Sequence, residues 1–134
     1  MSITRDRQQG ILRINQSAYL RSVLKRFGMD ECKLVSTPME SGKLYEKLPL
    51  NNPPVNLKEY QAAIGSLIYA SVGTRPDISY SVGVLSQFTS HPGQEHWKGI
   101  KRVFRYLKGT LNHCLEFVAS GTNDVILSTF TDAD

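Results

Sequence analysis

The apolar positions of this chain change period several times, and each change marks an expected element. Ile3 to Arg7 and Ile11-Leu12-Arg13-Ile14 read as two short strands. Gln8-Gln9-Gly10 between them supplies a turn in which Gly10 can take positive φ. From Asn15 the period becomes helical: Tyr19, Leu20, Val23, Leu24 and Phe27 recur on one face, and Gly28 follows as a stop. Residues 29–56 hold no period, because Pro38, Pro49, Pro53 and Pro54 break it and Asn51-Asn52 adds turn character. A connection this long inside a small domain points to function or a linker, here a partly ordered strap.

Three further helices are expected. Asn56 can cap one from Leu57 to Val72, with Glu59 three residues on and Tyr60, Ile64, Leu67 and Ile68 as its apolar stripe. Ala62, Ala63, Gly65, Ser66 and Ala70 on its other side are small enough for another helix to approach closely. Thr74-Arg75-Pro76-Asp77 opens the next helix, with Thr74 as cap, Pro76 in the first turn and Asp77 turned toward free N–H groups. Ile78, Val82, Leu85 and Phe88 form its buried stripe. Gly83 costs that helix about 1 kcal/mol relative to alanine, which predicts a neighbour that needs the room. The last helix, Gln94 to Lys108 with Gly109 as stop, divides cleanly in two. Trp97, Ile100, Val103, Phe104 and Leu107 share one side, while Lys98, Lys101, Arg102, Arg105 and Lys108 gather on the other. Cys114–Val118 and Val125–Phe130 then read as strands. The pattern predicts an α+β, mainly helical fold with an N-terminal β-hairpin, a bundle of about four helices and C-terminal strands. Its expected divisions are 1–28, 29–56, 57–110 and 111–134.

Composition narrows the class. Across 134 residues, 40% are hydrophobic and 21% charged, which suits a folded globular chain rather than a disordered one. The formal charge of +4 favours polyanions, but many proteins share that value, so the placement of the charge has to decide. Two cysteines without close pairing, no signal-like N-terminus and no apolar run of bilayer length lead to the expectation of an intracellular protein without a membrane partner.

The candidate chemistry is sparse. The cationic side of the last helix can follow a phosphate backbone and release counterions, or it can be an ordinary solvated face. Arg5, Arg7 and Arg13 on the hairpin are a second cationic set that alternate strand positions could gather on one face. Arg75 and Asp77 fit helix capping and a local ion pair better than catalysis. Trp97 belongs to the apolar stripe, and Tyr106 stands at its boundary. His91, His96 and His113 lack the ligand spacing of a zinc site, and no Gly-x-Ser-x-Gly elbow occurs.

Gly65-Ser66-Leu67-Ile68-Tyr69 followed by Thr74-Arg75-Pro76-Asp77-Ile78 resembles the GSLxYxxxxTRPDI signature of copia-type retrotransposon Pol polyproteins. Agreement in order and spacing extends to Arg26-Phe27-Gly28-Met29, Ser36-Thr37-Pro38-Met39, Ser90-His91-Pro92 and Arg105-Tyr106-Leu107-Lys108-Gly109-Thr110. The resemblance implies the region of an RNA-directed DNA polymerase downstream of its catalytic palm. The hairpin would be the end of the primer-positioning strands, the helices thumb and connection, and the last strands the start of a ribonuclease H-like sheet. No Tyr-x-Asp-Asp occurs, so the isolated chain is expected to be non-catalytic and to hold an RNA/DNA or DNA duplex beside the rest of the polyprotein. Thr131-Asp132 looks like the opening of ribonuclease H, which makes Asp132 a candidate carboxylate of an incomplete site. Two-metal hydrolysis needs several bridging acids, so magnesium is expected in the parent enzyme and no cofactor in this chain. By implication Lys98, Lys101, Arg102, Arg105 and Lys108, with Arg5, Arg7 and Arg13, are the nucleic-acid-binding candidates. The cellular setting would be a cytoplasmic particle or the nucleus. The alternatives are a helical protein-interaction module and an inactive retrotransposon remnant.

Overall fold

The computed structural model describes residues 1–47, 49 and 55–119. Strands β1 (Ser2–Asp6) and β2 (Ile11–Asn15) pair antiparallel, with Ile3 opposite Ile14 and Arg5 opposite Leu12. The Asp6 carboxylate accepts from the N–H groups of Gln8 and Gln9, both at 3.0 Å, and Gly10 closes the turn at φ 65°. Helix α1 (Ser17–Arg26) begins where Asn15 Oδ1 accepts the Ser17 N–H at 3.2 Å. It ends at Gly28, whose φ of 64° lets the Met29 N–H return to the Leu24 carbonyl at 2.8 Å. That six-to-one bond satisfies a carbonyl the last turn would otherwise leave free.

Helix α2 (Leu57–Gly73) is capped by Asn56, whose side chain accepts the Glu59 N–H at 3.2 Å. A 3₁₀ turn (Pro76–Ile78) then leads into α3 (Ser79–Ser86), and α4 (Gln94–Gly109) follows. The four helices share one core, to which Leu20, Leu24, Leu67, Leu85, Ile100, Phe104 and Leu107 contribute fully buried side chains. Tyr60 lies wholly inside it and donates its hydroxyl to the Leu85 carbonyl at 2.7 Å, which fixes α2 against α3.

Strand β3 (Leu115–Val118) adds to the hairpin rather than opening a sheet of its own. It pairs antiparallel with β2, Leu115 facing Ile14 and Phe117 facing Leu12, so the order is β1-β2-β3. Among the described residues the fold is α+β, four helices beside a three-stranded antiparallel sheet. The expected strand Val125–Phe130 and the candidate Asp132 lie outside the described residues.

Three local expectations are corrected. Thr74 does not cap the helix that follows it. It ends α2 and donates its hydroxyl to buried Gln16 at 2.9 Å, while the Asp77 carboxylate is taken by Arg75 and Tyr106. The small residues of α2 do not all form one packing face: Ala63, Ser66 and Ala70 are buried, whereas Gly65 looks onto open space, and of the expected apolar stripe Ile68 is exposed. Gly83 also has open space above it. The glycines that admit close neighbours are Gly73, where a Cβ would stand 2.6 Å from Gln16 Oε1, and Gly99, where it would stand 2.6 Å from the Tyr45 hydroxyl.

Candidate nucleic-acid interface

The amphipathic division of α4 fixes what its two sides meet. Its apolar side enters the helical core, and the described part of the connection after α1 lies along the other side as a strap. Tyr45 crosses at Gly99, the one α4 position where the missing side chain leaves room for it. Three cationic residues of α4 then meet the strap. Arg102 donates through Nη1 to Glu40 at 2.9 Å and through Nη2 to Thr37 Oγ1 at 3.0 Å. Arg105 Nε donates to the Lys33 carbonyl at 2.7 Å, and Lys108 Nζ to the Cys32 carbonyl at 3.0 Å. From the strap side, Lys43 reaches Glu95 at 3.4 Å.

Between strap and helix lies a cavity of about 430 Å³. Its wall carries five cationic side chains, Lys43, Lys98, Lys101, Arg102 and Arg105, against two carboxylates, Glu40 and Glu95. Glu95 is held below the usual carboxylate range by hydrogen bonds from Lys98 and Lys43, so it stays ionised. The site keeps an excess of positive charge even so. Arg102 Nε–H is buried without an acceptor among the described residues, a defect that typically costs about 1–3 kcal/mol.

The anchor for this arrangement is His96, which is 1% exposed. Its Nδ1 accepts the Gly93 N–H at 2.9 Å, satisfying a free donor at the start of α4, and its Nε2 faces the Glu46 carbonyl at 3.0 Å. That pair of contacts requires the neutral ring with the proton on Nε2. Burial pushes the ring's pKa below its ordinary value, against the opposing pull of the Glu46 carbonyl. His96 was missed as a sequence feature, although its place three residues after Gly93 marks a capping position.

The cationic candidates therefore divide. Arg102, Arg105 and Lys108 are half-buried under the strap, while Lys98 and Lys101 are exposed, Lys98 paired with Glu95 at 2.6 Å. The hairpin set also splits. Register and strand alternation put Arg5 on the sheet face of Leu12 and Phe117, and Arg13 on the opposite face beside Glu116, to which it bonds at 2.6 Å. Arg5 and Arg7 line a common hollow with Phe117. The expectation that Arg5, Arg7 and Arg13 act from one face is corrected for Arg13.

Arg75 is buried and paired. It is 1% exposed, forks onto Asp77 at 2.9 and 2.7 Å, and donates to the Thr110 carbonyl and hydroxyl at 3.0 and 2.6 Å. Tyr106 completes the cluster by donating to Asp77 Oδ2 at 2.8 Å, its ring lying beside the guanidinium. Burial by itself would raise the Asp77 carboxyl, but the donors from Arg75 and Tyr106 and the guanidinium charge outweigh it and hold the group low. Among the described residues no three His, Cys, Asp or Glu side chains are grouped to hold a metal. No helix among the described residues is long and apolar enough to cross a membrane.

No family model matches the chain, and no solved structure matches it at a significant level. Curated proteins do. The retrovirus-related Pol polyprotein from transposon TNT 1-94 of Nicotiana tabacum is 44% identical over 100% of this chain, which corresponds to 10% of that protein. The retrovirus-related Pol polyprotein from transposon RE1 of Arabidopsis thaliana is 41% identical over 92% of the chain and 8% of its own length. A secreted RxLR effector protein of Plasmopara viticola is 47% identical over 56% of the chain and 51% of its own. The chain spans a tenth or less of the two polyproteins. Given near-complete coverage of the chain at such identity, together with the signature around Arg75, it belongs to the copia-type retrovirus-related Pol polyproteins.

Proposed function

We propose that this chain is part of the non-catalytic region of an RNA-directed DNA polymerase and holds the RNA/DNA template–primer duplex through backbone phosphates. The observation that carries the reading is the strap–α4 cleft, with five cationic side chains against two carboxylates in a relative of Pol polyproteins. Lys98 and Lys101 present charge to solvent at once, and Arg102, Arg105 and Lys108 add to it where the strap gives way. Arg5 and Arg7 offer a second contact at the sheet, where the hollow they share with Phe117 faces outward. Contacts of this kind follow phosphates without reading bases. In the intact polyprotein the carboxylates of polymerisation and of ribonuclease H, with their magnesium ions, would come from other segments, and the rest of that polyprotein would be the neighbouring partner.

Fluorescence anisotropy of an RNA–DNA hybrid across a salt series tests this. Binding should weaken steeply with salt, and replacing Lys98, Lys101 and Arg5 together by alanine should lower the slope by roughly 2–3 as fewer counterions are released. Absence of binding at low salt, or binding indifferent to salt, would overturn the reading.

A second reading rests on a separate observation. Val72 is 84% exposed, Tyr80 75% and Tyr69 55%, an apolar surface on α2 and α3 of the kind that marks protein contacts. We propose the protein-interaction module as the alternative. Size-exclusion chromatography with light scattering separates the two: a monodisperse monomer at high concentration argues against self-association through that surface.

A further inference from the structure

Arg102 holds partners that suit a guanidinium poorly. Glu40 meets it through one oxygen on Nη1, Nη2 turns to the neutral hydroxyl of Thr37, and Nε–H has no acceptor among the described residues. A guanidinium fork is best matched by an oxyanion that offers two oxygens in its plane. The surrounding cleft is large enough to admit such a group, and Lys101 and Lys43 stand on its wall. Lys101 forms no ion pair among the described residues, and Lys43 reaches its carboxylate only at 3.4 Å. The Glu40 side chain is 60% exposed, so it can swing into solvent without disturbing the core.

We propose that the cleft between the strap and α4 is a phosphate-oxyanion site, in which Glu40 occupies Arg102 until an incoming phosphate displaces it. The inference deepens the duplex reading and rests on it for the source of the ligand. The shared chemistry is a phosphate group presenting two or more oxygens, which a nucleic-acid backbone or free inorganic phosphate can supply. The strap then acts as an internal competitor, and the affinity of the cleft is set by how firmly Glu40 holds.

The test uses the full chain with two ligands, inorganic phosphate followed by calorimetry and a short RNA–DNA hybrid followed by anisotropy. Glu40→Gln removes an exposed competing charge and should tighten phosphate binding about two- to fivefold, in line with the modest strength of exposed ion pairs. Arg102→Lys keeps the charge but loses the fork, and should weaken phosphate about tenfold. In the unaltered chain the arginine Nε–H resonance of Arg102 should move on phosphate addition. Unchanged phosphate affinity in both variants, or no phosphate binding at all, overturns the site. If Arg102→Lys fails to fold by circular dichroism, Glu40→Gln decides alone. The arms also separate the two claims. A hybrid that binds with steep salt dependence yet ignores both substitutions removes the phosphate site at Arg102 and leaves the duplex reading standing through the exposed Lys98 and Lys101 and through Arg5. Phosphate bound through Arg102 with no hybrid binding does the reverse.

Discussion

Arg75, at the junction after α2, and Arg102, on α4, show how differently one side chain can be used. Arg75 is 1% exposed and places two bonds on Asp77 and two on Thr110. Arg102 is about a quarter exposed at its side chain, with one carboxylate oxygen, one neutral hydroxyl and an empty Nε–H. The first cluster ties the α2–α3 junction to the C-terminal end of α4 and has nothing to offer a ligand. The second spans a strap and a helix, and in the proposed phosphate site its incomplete satisfaction is what a competing anion would exploit. A buried charge fully matched by its neighbours leaves no valence for a ligand; one matched halfway, at the edge of a cationic cleft, is what the proposed phosphate site requires.

The sharpest way to break that comparison is to delete each arginine. Arg75→Ala strips a buried pair and leaves Asp77 and Thr110 facing an empty site. The loss should be about 3 kcal/mol, at the lower end for buried pairs because Asp77 reaches solvent. Arg102→Ala should cost about 1 kcal/mol or less, as partly exposed pairs do. Chemical denaturation of both variants checks it, and equal losses would erase the distinction.

Gly99→Ala probes the strap from beneath. A methyl there would stand 2.6 Å from the Tyr45 hydroxyl and 2.7 Å from Leu85 Cδ2, so Tyr45 has to lift. Overpacking of this sort costs about 1–3 kcal/mol, offset by roughly 1 kcal/mol of helix propensity. Net stability should fall modestly, and cleavage by trypsin after Lys33 and Lys43 should become faster. A strap as protected as before would show that Tyr45 does not seat it.

What could be read in advance follows the range of the interactions. The two-sided pattern of α4, the cap at Asn56, the turn at Gly10 and the Arg75–Asp77 pair all depend on residues within a turn of one another, and their signals are local. The partner of β3 lies about a hundred residues away in β2, and neither strand's alternation says which edge it will join. The covering of Arg102 by Thr37 and Glu40 is hidden for the same reason, since the strap has no period to align with a helix. Glycine carries a usable signal, but not at the position where the helix pattern points first. The argument that a mid-helix glycine makes room for a neighbour holds for Gly99 under Tyr45 and fails for Gly83, which faces open space. The Asp132 candidate lies beyond the described residues.

The pH dependence of the strap comes next in size. His96 must be neutral to accept the Gly93 N–H, and burial holds its pKa below the ordinary histidine value. The unfolded chain therefore binds this proton more readily than the folded one, and stability rises with pH through that window. The contribution is complete above the unfolded value near 6.5 and is lost as pH falls toward the folded one. Denaturation midpoints at pH 7.5 and at pH about 5.5 should separate in the native chain. The part of that difference due to His96 should vanish in His96→Gln, and a full difference persisting there would assign it to other groups.

Gly65→Ala and Gly83→Ala carry the smallest effect and the opposite sign. Both glycines lie inside helices at negative φ with nothing within 4 Å of an added Cβ, so alanine meets no obstacle and reduces the entropy lost on folding. Each substitution should stabilise the chain by roughly 0.5–1 kcal/mol, visible as a higher denaturation midpoint. Their exposed positions beside Tyr69, Val72 and Tyr80 give the pair a further use. Substitutions that stabilise the free chain but weaken self-association would place the glycines at a contact where a neighbouring backbone comes close, and would favour the protein-interaction reading over the duplex one. Stabilisation with hybrid binding unchanged would confine the nucleic-acid contact to the α4 and sheet surfaces, away from these two helices.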